Sequence, residues 1–132
     1  MIKQIIRIKH YWKVIVYYNI DYDLFDIVDR ELLKYSLPVE ERWDLRSLIL
    51  SNKAKGFTIS FLKYKTSIIG FNKHNSKADY ISSIVHEAEH VKDDMLKYYH
   101  VHNSGEPPAY TIGYIVKQLY KVYNTFLCNC KN

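Results

Sequence analysis

The order of hydrophobic and polar positions predicts strands near the start of the chain and in its middle, and helices elsewhere. Residues 5–20 are rich in β-branched and aromatic side chains, which is typical of extended chain. Residues 57–62 place aromatic or branched side chains at every second position, which predicts a strand. Residues 64–71 can return beside it, so we expect a hairpin here.

Two helices are predicted between these extended segments. Asp21 and Asp23 offer N-cap chemistry for a helix over residues 24–35. Its predicted apolar face consists of Phe25, Val28, Leu32 and Leu33. Pro38 then opens a second helix, which the polar and glycine-containing segment 52–56 ends.

Two further helices are predicted after the hairpin. Ser76, with Asp79 three residues later, is a capping-box-like start for a helix over residues 78–98. Residues 103–108 are rich in turn formers, and a last helix follows over residues 109–127. The order is strand, two helices, hairpin, two helices, which predicts one α+β domain spanning residues 1–132.

Composition and charge narrow the class of protein. The chain is 48% hydrophobic and 25% charged, which suits a globular domain rather than a disordered segment. The net charge is +5, but the lysines are scattered, which favours solubility over nucleic-acid binding. The rival interpretation is a basic nucleic-acid-binding module with a stacking and phosphate surface made of Lys63, Tyr64, Lys65, Phe71 and Lys73.

The chain shows no signal for export or membrane insertion. Charged residues interrupt the apolar N-terminal stretch, so neither a signal peptide nor a membrane-spanning helix is expected. Cys128 and Cys130 are too close together for a disulfide framework, and we interpret them as free thiols. These features predict a cytoplasmic protein.

The chemistry of the chain is concentrated in residues 86–90, which read His-Glu-Ala-Glu-His and match H-E-x-x-H. On a helix, side chains four residues apart lie one turn above each other, so His86 and His90 can bind one zinc ion. Glu87 can then take a proton from a water molecule as general base. Because short motifs also arise by chance, the surrounding sequence has to support this interpretation.

The helix pattern around the motif supports it. Ile81, Ile84, Ala88, Val91 and Met95 follow a three-four spacing and predict one buried stripe. The two histidines fall on nearly the opposite side of the helix, where they can face a cleft. In the last helix a second stripe predicts packing against the first, formed by Ile112, Ile115, Leu119, Val122 and Phe126. Gly113 is expected to permit close approach of the two helices.

A catalytic zinc usually has three protein ligands. Asp93 and Leu96 stand where a metzincin would have glycine and histidine, so that branch is excluded. Glu106 follows a turn at the start of the last helix, and a helix reversal would bring it back to the histidine pair. His100 and His102 compete for the same role, and a first-turn acid that only stabilises the helix is the simpler alternative for Glu106.

The segment 85–113 resembles small zincin-like metallopeptidases encoded by phages and prophages. The resemblance lies in His-Glu-Ala-Glu-His at 86–90 followed by Gly-Glu-Pro-Pro-Ala-Tyr-Thr-Ile-Gly-Tyr at 105–114, and covers about a quarter of the chain. It implies a minimal zincin-like fold, in which an N-terminal strand and a hairpin accompany an active-site helix and a C-terminal helix. It also implies Glu106 as the third zinc ligand and association with a virion or a phage or host protein.

The sequence therefore predicts a zinc-dependent peptidase that acts on a peptide or protein. Glu87 is the expected general base, and Tyr110, His102 and Tyr114 are candidates for stabilising the oxyanion or contacting substrate. A strand of the 57–71 hairpin could pair with an extended peptide. A catalytically silent virion, tail or assembly protein with a structural metal site is the alternative.

Overall fold

The computed structural model describes the backbone of residues 2–126 and the side chains of residues 3–122. The α+β prediction is confirmed: a four-stranded mixed sheet is combined with four α-helices. Cys128, Cys130 and the predicted end of the last helix at Leu127 lie outside the described residues. The chain divides into two compact units, Met1–His74 and Asn75–Asn132, called here the sheet unit and the helical unit. The single domain over residues 1–132 stays a prediction.

The sheet unit is built on four strands in the spatial order β1-β2-β4-β3. β2 and β4 run parallel at the centre, while the pairs β1–β2 and β3–β4 are antiparallel. The central strands are buried over almost their whole length, so each carries a nearly continuous apolar run. The bounds are β1 Ile2–Ile8, β2 Trp12–Tyr18, β3 Gly56–Phe61 and β4 Thr66–Phe71.

The N-terminal segment is a hairpin, and the prediction of a single extended stretch over residues 5–20 was wrong. The chain reverses between Ile8 and Trp12, and the Tyr11 N–H donates to the Ile8 carbonyl at 2.9 Å. Lys9 adopts a left-handed conformation with φ of 50° to make this turn. Because lysine carries none of the usual turn signals of glycine, asparagine or aspartate, the pattern gave no indication of the reversal.

Two helices supply the core on one face of the sheet: α1 (Tyr22–Lys34) and α2 (Val39–Leu50). Asp21 is the N-cap of α1, as predicted, since its side chain accepts a hydrogen bond from the Leu24 N–H at 2.7 Å. Leu33 is 54% exposed, so its place on the predicted apolar face was wrong. The core cluster consists of Ile15, Tyr17, Ile20, Leu24, Phe25, Val28, Leu32, Leu37, Ile49, Phe57 and Ile68.

The predicted hairpin of β3 and β4 is confirmed, with a short 3-10 turn over Leu62–Tyr64 between the strands. Gly70 in β4 is required by packing. A Cβ atom at this position would lie 2.2 Å from the Phe57 ring and 2.7 Å from the Ile20 side chain. Phe71 is fully buried, so its place in the rival nucleic-acid-binding surface was wrong.

Polar groups inside the sheet unit are bonded to one another. The Tyr17 hydroxyl donates to Glu31 Oε1 at 2.9 Å, and the Lys3 ammonium lies 3.5 Å from the same oxygen. Burial, and then the hydrogen bond to Glu31, raise the pKa of the Tyr17 phenol well above its ordinary value. Elsewhere in the sheet unit, the Trp12 indole N–H donates to Ser67 Oγ at 2.9 Å. These contacts compensate for the burial of the polar groups.

The helical unit consists of two packed helices, α3 (Lys77–Tyr98) and α4 (Glu106–Phe126). Ile115 and Leu119 of α4 are fully buried, as predicted. Gly113 is exposed, and a Cβ atom there would meet no described atom within 4 Å. The prediction that Gly113 permits close helix approach was therefore wrong. No helix within residues 2–126 is long and apolar enough to cross a membrane.

Candidate metal centre

The ends of α3 are fixed by local hydrogen bonds, and these ends determine which residues fall within the helix. Ser76 Oγ accepts from the Asp79 N–H at 3.1 Å, which confirms the predicted N-cap. At the other end, the Val101 N–H donates to the Leu96 carbonyl and the His100 N–H to the Lys97 carbonyl. His100 has a φ of 56°, so this end is a Schellman motif with histidine in the position that usually holds glycine.

The buried face of α3 lies close to the predicted one. Ile84, Ala88 and Val91 are fully buried, and Met95 is 8% exposed. Ile81 is 37% exposed, so its place on the predicted buried stripe was wrong. The neighbouring Tyr80 is buried instead. His86 and His90 are exposed and lie off this buried face, as their angular position on the helix predicted, while the cleft that they were expected to face stays a prediction.

The two imidazoles face each other across one helical turn. His86 Nε2 and His90 Nε2 are 3.2 Å apart, and the ring planes are nearly perpendicular at 83°. A tetrahedral zinc ion with Zn–N distances of about 2.0–2.1 Å requires two nitrogens roughly 3.3–3.4 Å apart. The observed separation is therefore close to what a shared ion needs, and it also permits one N–H to donate to the other ring.

Glu87 completes a group of three potential ligands. The ligating atoms of His86, Glu87 and His90 all lie within 4.8 Å of one another. Glu87 is only 5% exposed, whereas the histidines on either side of it are open to solvent. A carboxylate at this range can share one water molecule with a ligand bound between the imidazoles, because two hydrogen-bond lengths span roughly 5–6 Å.

The structure does not bring the predicted third ligands into this group. Among the described side chains, neither Glu106 nor the competing residues His100 and His102 belong to it. Glu106 is the first residue of α4 and is exposed. His102 Nδ1 lies 3.1 Å from Ser104 Oγ. The His100 N–H donates to the Lys97 carbonyl at the end of α3. The role of Glu106 as zinc ligand stays a prediction.

The side chains proposed for substrate contact are open to solvent. Tyr110 is 72% exposed and Tyr114 is 42% exposed, and both lie on α4. His102 is also exposed, in the turn before that helix. Their exposure leaves them accessible to a ligand, while their roles stay predictions.

A polar network that the sequence did not reveal holds the turn between α3 and α4. The Lys92 ammonium is 2.5 Å from Glu89 Oε1, 3.0 Å from Asp93 Oδ1 and 3.0 Å from Asn103 Oδ1. Asn103 in turn donates to Asp93 Oδ1 at 2.8 Å. The network ties the segment that leads to Glu106 back to the turn of α3 that follows His90. Only the Glu89–Lys92 spacing is visible as a sequence signal, since it is an i, i+3 pair.

Within this network, the pKa of Lys92 is raised and the pKa of Asp93 is lowered. The hydrogen bond to Glu89 raises the pKa of the Lys92 ammonium above its ordinary value despite its burial. Burial alone would raise the pKa of the Asp93 carboxyl, but hydrogen bonds from Lys92 and Asn103 outweigh it and lower that pKa. Both groups are therefore held in their charged forms.

Comparison with known proteins adds no evidence about the function of these residues. No family model, curated protein or solved structure matches the chain at a significant level.

Proposed function

We propose that the protein is a zinc-dependent peptidase centred on α3. The observation that carries the proposal is the 3.2 Å separation of His86 Nε2 and His90 Nε2, with the Glu87 carboxylate in the same compact group. Two exposed imidazoles that face each other do nothing for the core, so packing gives no reason for their arrangement. Neutral imidazole nitrogen is a preferred ligand of zinc.

Bound zinc supplies Lewis acidity, which polarises a carbonyl group and makes a water molecule more acidic. Glu87 is the proposed general base, and its carboxylate supports this role by lying in the same compact group as the two imidazoles. It accepts the proton of the attacking water and returns it to the leaving amine. Its burial limits the hydration of the carboxylate.

Glu106 is the proposed third ligand, and its side chain is exposed at the start of α4. The Lys92–Asn103 contact fixes the turn three residues before it, which restricts where that side chain can reach. His102 is the competing ligand from the same turn. Tyr110 and Tyr114 are the proposed hydrogen-bond donors to substrate, since both present hydroxyl groups on the accessible side of α4.

Zinc titration by calorimetry tests the site. The wild-type protein should bind one zinc ion, and His86→Ala or His90→Ala should each remove that binding because one remaining imidazole is a weak ligand. Ser82→Ala, an exposed position one turn earlier on α3, is the control and should bind like the wild type. Equal binding by the wild type and His86→Ala would contradict the proposal.

Hydrolysis of fluorescein-labelled casein tests the chemistry separately. Glu87→Gln should keep the zinc and lose about 100-fold or more in rate, as expected for removal of a general base. Glu40→Gln makes the same change at an exposed position of α2, in the sheet unit, and should retain the rate. A zinc-loaded wild type that does not cleave casein faster than Glu87→Gln would leave a structural metal site, the catalytically silent alternative.

A further inference from the structure

A second candidate site lies in the sheet unit, where the β1–β2 turn meets the start of β4. A depression of about 380 Å³ opens there. Its lining includes Arg7, Lys9, Tyr11, Lys13, Tyr64 and Lys65. The volume is in the range of small-ligand sites. The Lys13 N–H donates to the Lys65 carbonyl at 2.9 Å, which joins the two sides of the depression.

The charge of this depression is of one sign, because four of its lining residues are lysine or arginine and none is acidic. Within the described residues, the ammonium groups of Lys9, Lys13 and Lys65 form no ion pair. Some cations elsewhere in the sheet unit are paired, among them Arg42 with Asp29 and Arg46 with Asp26. Clustered cations without acids repel one another, and an anionic ligand would relieve that repulsion.

Exposed aromatic rings accompany the cations. Tyr11 is 41% exposed and Tyr64 is 47% exposed. The Tyr64 ring is held by an edge contact with Tyr35 at 5.2 Å between centroids, and the Lys63 ammonium lies 5.8 Å from its centre. Rings fixed beside lysines are the combination that binds single-stranded nucleic acids, with bases stacking on the rings and phosphates meeting the cations.

We propose that this depression binds a single-stranded nucleic acid through its phosphates and one or two stacked bases. The lysines at positions 9, 13 and 65 contact the phosphates, and Tyr11 and Tyr64 provide the stacking surfaces. Tyr64 and Lys65 belonged to the rival surface predicted from sequence. Arg7, Lys9, Tyr11 and Lys13 come from the β1–β2 hairpin, and the parallel pairing of β2 with β4 brings that hairpin beside them. The site is independent of the histidine pair, so either proposal can fail without the other.

Fluorescence polarisation with a labelled oligothymidylate of about 15 nucleotides tests the proposal on the full chain. We expect binding that weakens by at least tenfold between roughly 50 and 200 mM NaCl. Lys9→Glu combined with Lys65→Glu should lower the affinity by at least tenfold. Lys53→Glu combined with Lys55→Glu changes the net charge equally at exposed positions of the same unit, away from the depression, and should cost much less.

The aromatic contribution has its own control. Tyr11→Leu should weaken binding roughly fivefold or more, as for loss of one stacked base, whereas Tyr22→Leu, at a 66% exposed tyrosine of α1, should not. If the glutamate variant fails to fold by circular dichroism, Lys9→Gln with Lys65→Gln keeps the test with a smaller loss. Absent binding, equal losses in both lysine pairs, or displacement of the oligomer by equimolar thymidine monophosphate would each overturn the proposal.

Discussion

In the sheet unit the buried polar groups bond to each other, whereas in the helical unit two imidazoles face each other at the exposed surface of α3. Tyr17, Glu31 and Lys3 form one connected group, and their arrangement is explained by the burial that it compensates. His86 and His90 have no such explanation, since they are exposed and contribute nothing to the apolar stripe. Polar side chains that the fold does not require are the better guide to function.

The comparison predicts that changes in the helical unit's exposed polar groups alter binding but not folding. Glu106→Gln should lower zinc affinity by roughly 100-fold, because it removes one of the three proposed protein ligands. Loss of a residue that only hydrogen-bonds to a ligand would weaken the site less. As a first-turn acid alone, Glu106 would contribute less than about 1 kcal/mol to stability and nothing to zinc affinity.

Competition with a chromophoric chelator measures that affinity. Glu41→Gln removes an acid from the first turn of α2 and serves as the control. An unchanged zinc affinity in Glu106→Gln would exclude this residue as a ligand, and His102→Ala would then be titrated in the same way.

In the sheet unit the largest expected effect is on folding. Gly70→Ala should lower the free energy of unfolding by about 1–3 kcal/mol, because the added methyl group overlaps the Phe57 ring and the Ile20 side chain. Urea denaturation followed by circular dichroism measures the change. A variant as stable as the wild type would show that these side chains can move aside, and that the core is looser than described.

The Tyr17–Glu31 pair should make the sheet unit sensitive to alkaline pH. Because the folded-state pKa of Tyr17 is raised, its contribution to stability is fully present below the unfolded value of about 10 and is lost as pH rises toward the folded value. Tyr17→Phe should cost about 1–2 kcal/mol at neutral pH and less at alkaline pH. Parallel melting curves from neutral to strongly alkaline pH measure the difference, and a constant gap would contradict the linkage.

The smallest expected effect sharpens the contrast between the two glycines. Gly113→Ala should stabilise the protein by about 0.5–1 kcal/mol, since the position is exposed, lies within α4 and leaves room for a methyl group. Thermal unfolding of Gly113→Ala beside Gly70→Ala gives opposite shifts in Tm. If Gly113→Ala instead destabilises the protein, the result would support the close approach of the two helices that the sequence predicted.

Helix positions were largely predictable because local signals determine them. Asp21 and Ser76 cap α1 and α3 by the hydrogen bonds that their positions predicted. The reversal at Lys9 was not predictable, because a left-handed lysine depends on pairing between the flanking strands rather than on local preference. The same holds for the parallel pairing of β2 with β4, which joins segments far apart in the chain.

The candidate metal centre was also predictable from sequence only in part. The facing of His86 and His90 follows from helical periodicity alone, so the motif was sufficient to predict it. The position of Glu106 depends on how the turn after α3 is held, and that turn is fixed by contacts of Lys92 and Asp93 with Asn103. Such contacts between side chains ten or more residues apart leave no periodic trace in a sequence.

X-ray absorption spectroscopy at the zinc edge of the zinc-loaded protein tests the central claim most directly. We predict a first shell of nitrogen and oxygen at about 2.0–2.1 Å, with the outer-shell scattering of two imidazoles. His90→Ala should lose that two-imidazole signature. A wild-type protein that retains no zinc after dialysis, or one whose zinc spectrum lacks imidazole scattering, would contradict the account.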